Sequence, residues 1–274
     1  MKFIETKGAR VPALGFGTWD LRGVACERAV ATALGVGYRH IDTAQMYENE
    51  EAVGRAIAAS GVDRGAIFLT TKIWHDRLAP GMLERAADDC LRRLGVEYVD
   101  LLLIHWPSDA IPLAASLAAL ATVKAAGKAR HIGVSNFPAA LLARACNEHG
   151  ADLLCDQVEY HPFLAQNAVL AETRPRGMML TAYCPLAQGR VAETPELIAI
   201  GRRHGKTPAQ IALRWLVQQD LVAAIPKAAS EAHCLANLEI FDVALDAAEM
   251  AAIAALARGQ RLVDPAFAPR WDPA

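Results

Sequence analysis

Tyr38-Arg-His-Ile-Asp-Thr-Ala-Gln-Met-Tyr-Glu-Asn-Glu50 reads as one β-strand, one loop and the first turn of a helix. The strand ends on Asp42, the chain turns through Thr43 to Met46 and presents Tyr47, and a helix enters behind Asn49. Glu50 and Glu51 then place negative charge where a helix N-terminus favours it. A carboxylate at a strand end followed by a phenol on the next loop has the make-up of a reaction site.

The same unit recurs along the chain. Apolar runs ending in polar residues lie at Tyr38 to Asp42, Ile67 to Lys72, Tyr98 to His105, Ala129 to Asn136, Cys155 to Glu159, Met179 to Tyr183 and Leu221 to Lys227, and the segment at Leu14 makes eight. Ala- and Leu-rich helical patterns alternate with them: Val24 to Leu34, Glu50 to Ser60, Gly81 to Leu94, Leu113 to Ala126, Ala139 to Glu148, Asn167 to Thr173 and Thr207 to Gln219. Gly61 suits a left-handed helix end, and Thr207-Pro-Ala-Gln210 spells a capping box with proline in the first turn. Near-continuous apolar strands fit a parallel sheet covered on both faces. With 274 residues and no linker or composition break, the pattern predicts one domain over 1–274: an α/β fold of the (β/α)8 barrel type, which typically needs about 250 residues. Lys2 to Thr6 and Ala9 to Leu14 flank Lys7-Gly8 as an N-terminal hairpin that forms a lid at one end. A doubly wound open sheet is the alternative, but Gly15-Phe-Gly17 lacks the third glycine of a dinucleotide fingerprint, Asp20 standing in its place.

Composition narrows the partners. The chain is 53% hydrophobic and 21% charged with a net charge of -2, enough apolar material for a large core and no bulk field to recruit nucleic acid or an anionic membrane. Six separate cysteines without a C-x-x-C pair read as reduced thiols, and the N-terminus carries no apolar signal. The expectation is a cytoplasmic, monomeric protein that handles a small molecule.

In a barrel, the C-terminal strand ends converge on one mouth and carry the chemistry. Here they are Asp42, Lys72, His105, Ser135-Asn136, Gln157-Val-Glu159 and Tyr183. Val99, Leu101, Leu103 and His105 share one face of their strand, so the histidine terminates an apolar row. Buried Asp42 and Lys72 relieve each other's desolvation by pairing. A tyrosine is a poor acid at neutral pH unless a cation favours its phenolate; Lys72 supplies that cation to Tyr47, with Asp42 holding the ammonium. A neutral His105 can orient a substrate carbonyl beside Tyr47. The set lacks a reductant, which points to hydride from a bound cofactor.

These motifs, with Leu14-Gly-Phe-Gly-Thr-Trp19, Thr71-Lys-Ile-Trp74, Asp100 to Pro107, Ile132-Gly-Val-Ser-Asn-Phe137, Gln157-Val-Glu-Tyr-His-Pro162, Tyr183-Cys-Pro-Leu186 and Ile225-Pro-Lys227, run in order over nearly the whole chain. In them the chain resembles the aldo/keto reductases, and among those the bacterial 2,5-diketo-D-gluconate reductases. The resemblance implies NAD(P)H-dependent reduction of aldehydes and ketones, with small dicarbonyls or keto-sugar acids such as methylglyoxal or 2,5-diketo-D-gluconate as substrates. It makes Tyr47 the general acid, tuned by Lys72 and Asp42, with His105 orienting the carbonyl. Ser135, Asn136 and Gln157 would hold the nicotinamide carboxamide and Tyr183 would stack on the ring. Cys184, Leu186, Lys227, Ser230, His233 and Asn237 would line the rest of the NADPH site, and Trp19, Trp74 and Trp106 the substrate pocket. The tail Arg261 to Ala274, with Trp271, would fold over the mouth.

Departures gather at the adenosine end. Where the family usually shows serine, arginine and a Glu-Asn pair, this chain has Ala228, His233, Ala236 and Asn237, and Cys184 replaces a serine. An imidazole lacks the permanent bidentate charge of arginine, so NADH is expected to be usable as well. Two rival readings are a metal-dependent barrel hydrolase using His40, Asp42, His105, His131 and His161, and a non-catalytic cofactor-sensing barrel. No His-x-His pair occurs, and His131 falls at the start of its strand; on these grounds no metal ligand is assigned.

Overall fold

The computed structural model describes residues 1–228 and 230–272. Strands β1 (Phe3–Thr6) and β2 (Ala9–Pro12) form an antiparallel hairpin. Eight further strands lie in one parallel sheet in chain order: β3 (Phe16–Gly17), β4 (His40–Asp42), β5 (Phe68–Ile73), β6 (Val99–Ile104), β7 (Ala129–Ser135), β8 (Cys155–Glu159), β9 (Met179–Tyr183) and β10 (Val222–Ala224). A parallel bridge between Leu14 and Ala224 joins the last strand to the first, with Gly15 N donating to Ala224 O at 2.8 Å and Ala224 N to Ala13 O at 2.9 Å. The sheet is therefore a closed barrel, not an open doubly wound sheet. Closure leaves no room at Gly17, where a Cβ would stand 2.6 Å from the Ile225 carbonyl oxygen. Every residue of β5, β6 and β8 is buried, as expected of strands covered on both faces.

The α-helices of the described residues are α1 (Gly23–Gly35), α2 (Glu50–Ala59), α3 (Met82–Leu94), α4 (Leu113–Ala125), α5 (Ala139–Asn147), α6 (Asn167–Thr173), α7 (Pro195–His204), α8 (Pro208–Gln218), α9 (Glu231–Leu238) and α10 (Ala247–Ala254), and short 3-10 turns, Gln45–Tyr47 among them, lie in the loops. The capping box of α8 forms as spelled, with Gln210 N donating to Thr207 Oγ1 at 3.2 Å and Thr207 N to Gln210 Oε1 at 2.9 Å. Gly61 has φ +68 after α2, the left-handed end anticipated for it. Helices α7, α9 and α10 were not anticipated.

The hairpin turns through Lys7 and Gly8, both at positive φ, the geometry that matches strand twist in two-residue hairpins. Lys2 Nζ donates to Val217 O at 2.8 Å, Thr6 Oγ1 donates to Gly177 O, and Lys7 pairs with Asp152 at 2.7 Å. All these partners precede strands, so the hairpin covers the N-terminal end of the barrel. The opposite end, where strands finish, is left to the chemistry. No described helix is long and apolar enough to cross a membrane.

Candidate active site

Strands β4 and β5 finish side by side, and their last polar side chains meet. Lys72 Nζ lies 2.5 Å from Asp42 Oδ1 and donates to Thr43 O at 2.9 Å and to Tyr47 OH at 3.3 Å. Those three acceptors use all three ammonium protons. Lys72 is fully buried and Asp42 nearly so. Burial alone would push the lysine pKa down, but the Asp42 carboxylate and Tyr47 hold it above its ordinary value. For Tyr47 the balance runs the other way: burial raises the phenol pKa and outweighs the lowering pull of Lys72. The expected pull of Lys72 toward phenolate is present, but burial exceeds it in this state. Tyr47 stays protonated, which suits a proton donor.

His105 follows β6 and faces Tyr47 edge to face, ring centroids 5.5 Å apart. It is 6% exposed, and burial, then the neighbouring Lys72 charge, hold its pKa well below the ordinary imidazole value. The ring is neutral. Its buried Nδ1 has no partner, and an orphaned acceptor costs less than an orphaned N–H. That places the proton on Nε2.

A second network adjoins the first. Ser135 Oγ donates to Gln157 O at 2.7 Å, Asn136 Nδ2 to His105 O at 2.9 Å, and Tyr183 OH to Asn136 Oδ1 at 2.8 Å. Asn136 reaches this position through a left-handed turn at φ 64, which asparagine tolerates better than most residues. Gln157 Nε2 donates to Asp42 Oδ2 at 2.7 Å and joins the two networks. Ser135, Asn136, Gln157 and Tyr183 thus come together with Asp42, Tyr47, Lys72 and His105.

Aromatic rings wall the mouth. Trp19 packs on Tyr47 at 4.9 Å and Trp74 on His105 at 5.1 Å, while Trp106 is buried. The tail crosses over them: Phe267 lies 5.5 Å from both Trp74 and Trp106, and Trp271 lies 5.9 Å from Trp106. Its anchor is Glu159, which accepts from Leu262 N at 2.7 Å, Val263 N at 2.9 Å and His161 Nε2 at 2.9 Å. Asp272 Oδ2 accepts from Ala139 N at the start of α5, 2.8 Å away. Pro273 and Ala274 lie outside the described residues.

Sequence reasoning missed the roles of Glu159 and Phe267. One cue was present, since Glu159 stands two residues beyond Gln157 on the same face of β8, a carboxylate ending a buried strand and needing donors.

The remaining candidates sit apart from this cluster. Cys184 follows β9 at φ 51, half-buried, with burial pushing its thiol up to about 11; Leu186 is half-buried beyond it. Lys227 is exposed, 3.8 Å from Asp20. Ser230 caps α9 by accepting from His233 N at 3.3 Å, and His233 is exposed. Asn237 is 6% exposed and turned toward the Tyr38 hydroxyl. The five residues of the metal reading are not assembled: His40 Nδ1 lies 3.1 Å from Pro12 O, His161 is held by Glu159, and His131 lies early in β7.

Residues 13–258 match the model of the Aldo/keto reductase family. The chain is 40% identical over 266 residues to "Methylglyoxal reductase DkgB" of Yersinia pestis, covering 96% of this chain and 99% of that one. A crystal structure provisionally assigned as 2,5-diketo-D-gluconic acid reductase B superposes with a TM-score of 0.97 at 47% identity, covering 100% of this chain and 98% of the other. The aldo/keto reductase from Brucella melitensis gives a TM-score of 0.89 at 38% identity over 93% of this chain and 97% of its own.

Proposed function

The chain belongs to the aldo/keto reductase family, and on that premise we propose that Tyr47, Lys72, Asp42 and His105 are its catalytic group, acting on small dicarbonyls and keto-sugar acids. It is an oxidoreductase that reduces carbonyl groups. The observation that carries the assignment is the Lys72 ammonium, held between the Asp42 carboxylate and the Tyr47 hydroxyl, with neutral His105 at the same mouth.

His105 Nε2 donates to the substrate carbonyl and fixes its oxygen beside Tyr47. Tyr47 OH then gives its proton to the oxygen as negative charge develops there, and Lys72 stabilises the phenolate left behind. Asp42 keeps the ammonium aimed. Trp19, Trp74 and Trp106 exclude water and match an apolar substrate body.

A reduced nicotinamide cofactor supplies the hydride when bound. The residues present fit one. The Gln157 amide oxygen accepts no hydrogen bond among the described residues, leaving it for an amide donor; Ser135, Asn136 and Tyr183 stand beside it. Cys184 and Leu186 follow β9, and Lys227 and Ser230 follow β10 with an exposed cation and a helix N-terminus, the combination that suits phosphate. We place the whole catalytic unit in one domain and one protomer, in the cytoplasm.

His233, exposed at the adenosine end in place of arginine, weakens discrimination for the 2'-phosphate, so NADPH is the main cofactor and NADH is usable. Initial rates with both cofactors across methylglyoxal, 2,5-diketo-D-gluconate and simple aldehydes test the proposal. Turnover of a dicarbonyl is expected with either cofactor. An NADPH advantage above about a thousandfold, roughly 4 kcal/mol, would refute the relaxed preference; no carbonyl turnover at all would refute the function.

A further inference from the structure

Gln157 stands at a junction that its expected role as a cofactor contact does not explain. Asp42 has two carboxylate oxygens and two donors: Lys72 Nζ on Oδ1 at 2.5 Å and Gln157 Nε2 on Oδ2 at 2.7 Å. All three side chains are buried, none above 2% exposed, so no water substitutes for a missing donor. A carboxylate held at one oxygen only can swing about its terminal torsion, which is broad. Held at both, it is fixed in plane, and the ammonium aimed along its first oxygen is fixed with it. The backbone of Gln157 is itself braced, its carbonyl accepting from Asn136 N at 3.0 Å and Ser135 Oγ at 2.7 Å.

We propose that Gln157 is a positioning residue for the proton donor: by clamping the second oxygen of Asp42 it fixes the Asp42–Lys72 pair, and through that pair the Tyr47 hydroxyl. The inference rests on the catalytic assignment above and goes beyond it, because Gln157 acts on the acid and not only on a bound cofactor. One side chain then serves both halves of the site. Its N–H holds the acid's support, while its free amide oxygen faces the cofactor's chemistry.

Lys72 from β5 and Asp42 from β4 set the field at Tyr47, and His105 beyond β6 and Tyr183 at the end of β9 are the other titratable groups beside it. Asp42 is faced in addition by His40 and Cys155. Removing the Gln157 donor leaves negative charge on Oδ2 without compensation. Asp42 already raises the phenol pKa, so the loss raises it further and carries the alkaline limb of turnover upward.

The test is a double-mutant cycle on the full-length enzyme, with kcat for methylglyoxal against pH and cofactor affinity from quenching of tryptophan fluorescence by NADPH. Gln157→Leu is expected to lower kcat about tenfold and to move the alkaline limb up by about half a pH unit, about 0.7 kcal/mol. In an Asp42→Asn background the same substitution is expected to change kcat by less than about twofold, because the single oxygen left is claimed by the Lys72 ammonium and an amide NH2 faces Gln157. Gln157→Glu, which sets a second carboxylate against Asp42, is expected to move the limb at least as far, and it carries the test if the leucine variant does not fold. An unmoved pH profile with equal kcat losses in both backgrounds, or a loss confined to NADPH affinity, would overturn the proposal. Failure of the wild-type enzyme to reduce any carbonyl in the same assay would instead strike the catalytic assignment.

Discussion

On the proposed mechanism, proton transfer concentrates at Tyr47. A positioned general acid contributes about a hundredfold to ten-thousandfold to rate, so Tyr47→Phe is expected to lower kcat within that range while the NADPH dissociation constant, read by fluorescence, changes less than about twofold. Asp42, Tyr47, Lys72 and His105 were legible in the sequence because each closes an apolar run or the loop beyond it, and strand ends of a barrel must converge. The sign of the balance at Tyr47 was not legible, since it depends on how completely the folded protein excludes water. Asp156 shows the same limit. Both of its oxygens are buried without a hydrogen bond of ordinary geometry, and burial lifts its pKa well above 3.8, the nearby Phe137 backbone N–H offsetting only part of this. The unfolded chain loses this proton first as pH rises, so Asp156 weakens the fold progressively above pH 3.8. Asp156→Asn is therefore expected to raise Tm at pH 7, by a few degrees for about 1–3 kcal/mol, with the gain vanishing near pH 4. Calorimetry at both pH values checks it.

Among the elements, the strands were read more surely than the helices between the last of them. Cys155–Glu159 and Met179–Tyr183 coincide with their anticipated spans, because long apolar runs bounded by polar residues leave little choice. Helix α10 went unread although Asp246 and Glu249 form its capping box, and α7 begins with Thr194-Pro195, another legible start. Alanine-rich stretches after β9 blur the apolar period, so caps had to carry those assignments. Strand β8 does the most for the site, with Gln157 turned to the acid and Glu159 to the tail. Glu159→Gln replaces an acceptor that serves three donors with an amide that can serve fewer. It is expected to loosen the tail, raising KM for dicarbonyls several-fold while kcat falls less than about threefold; steady-state kinetics decide, and an unchanged KM would remove the tail from substrate binding.

For the molecule as a whole, closure is the governing fact. The hairpin β1–β2 seals the N-terminal end of the barrel, and the tail caps the other through Phe267 and Trp271. The barrel was legible from eight repeats of one pattern; the path of the tail was not, because its contacts are set by the shape of a mouth that no local period describes. Ending the chain at residue 260 is expected to leave the barrel folded by circular dichroism, to admit bulkier ketones and to raise KM for small ones. Lys72 carries one more consequence. Carbonyl reductases work among electrophiles that condense with free amines, and dicarbonyls are among the most aggressive glycating agents. An ammonium that is fully buried, has every proton engaged and is held above its ordinary pKa offers no lone pair for a Schiff base. On the proposed mechanism the enzyme can thus depend on a lysine while immersed in a reagent that destroys lysines, because that reagent is left with exposed amines such as Lys227.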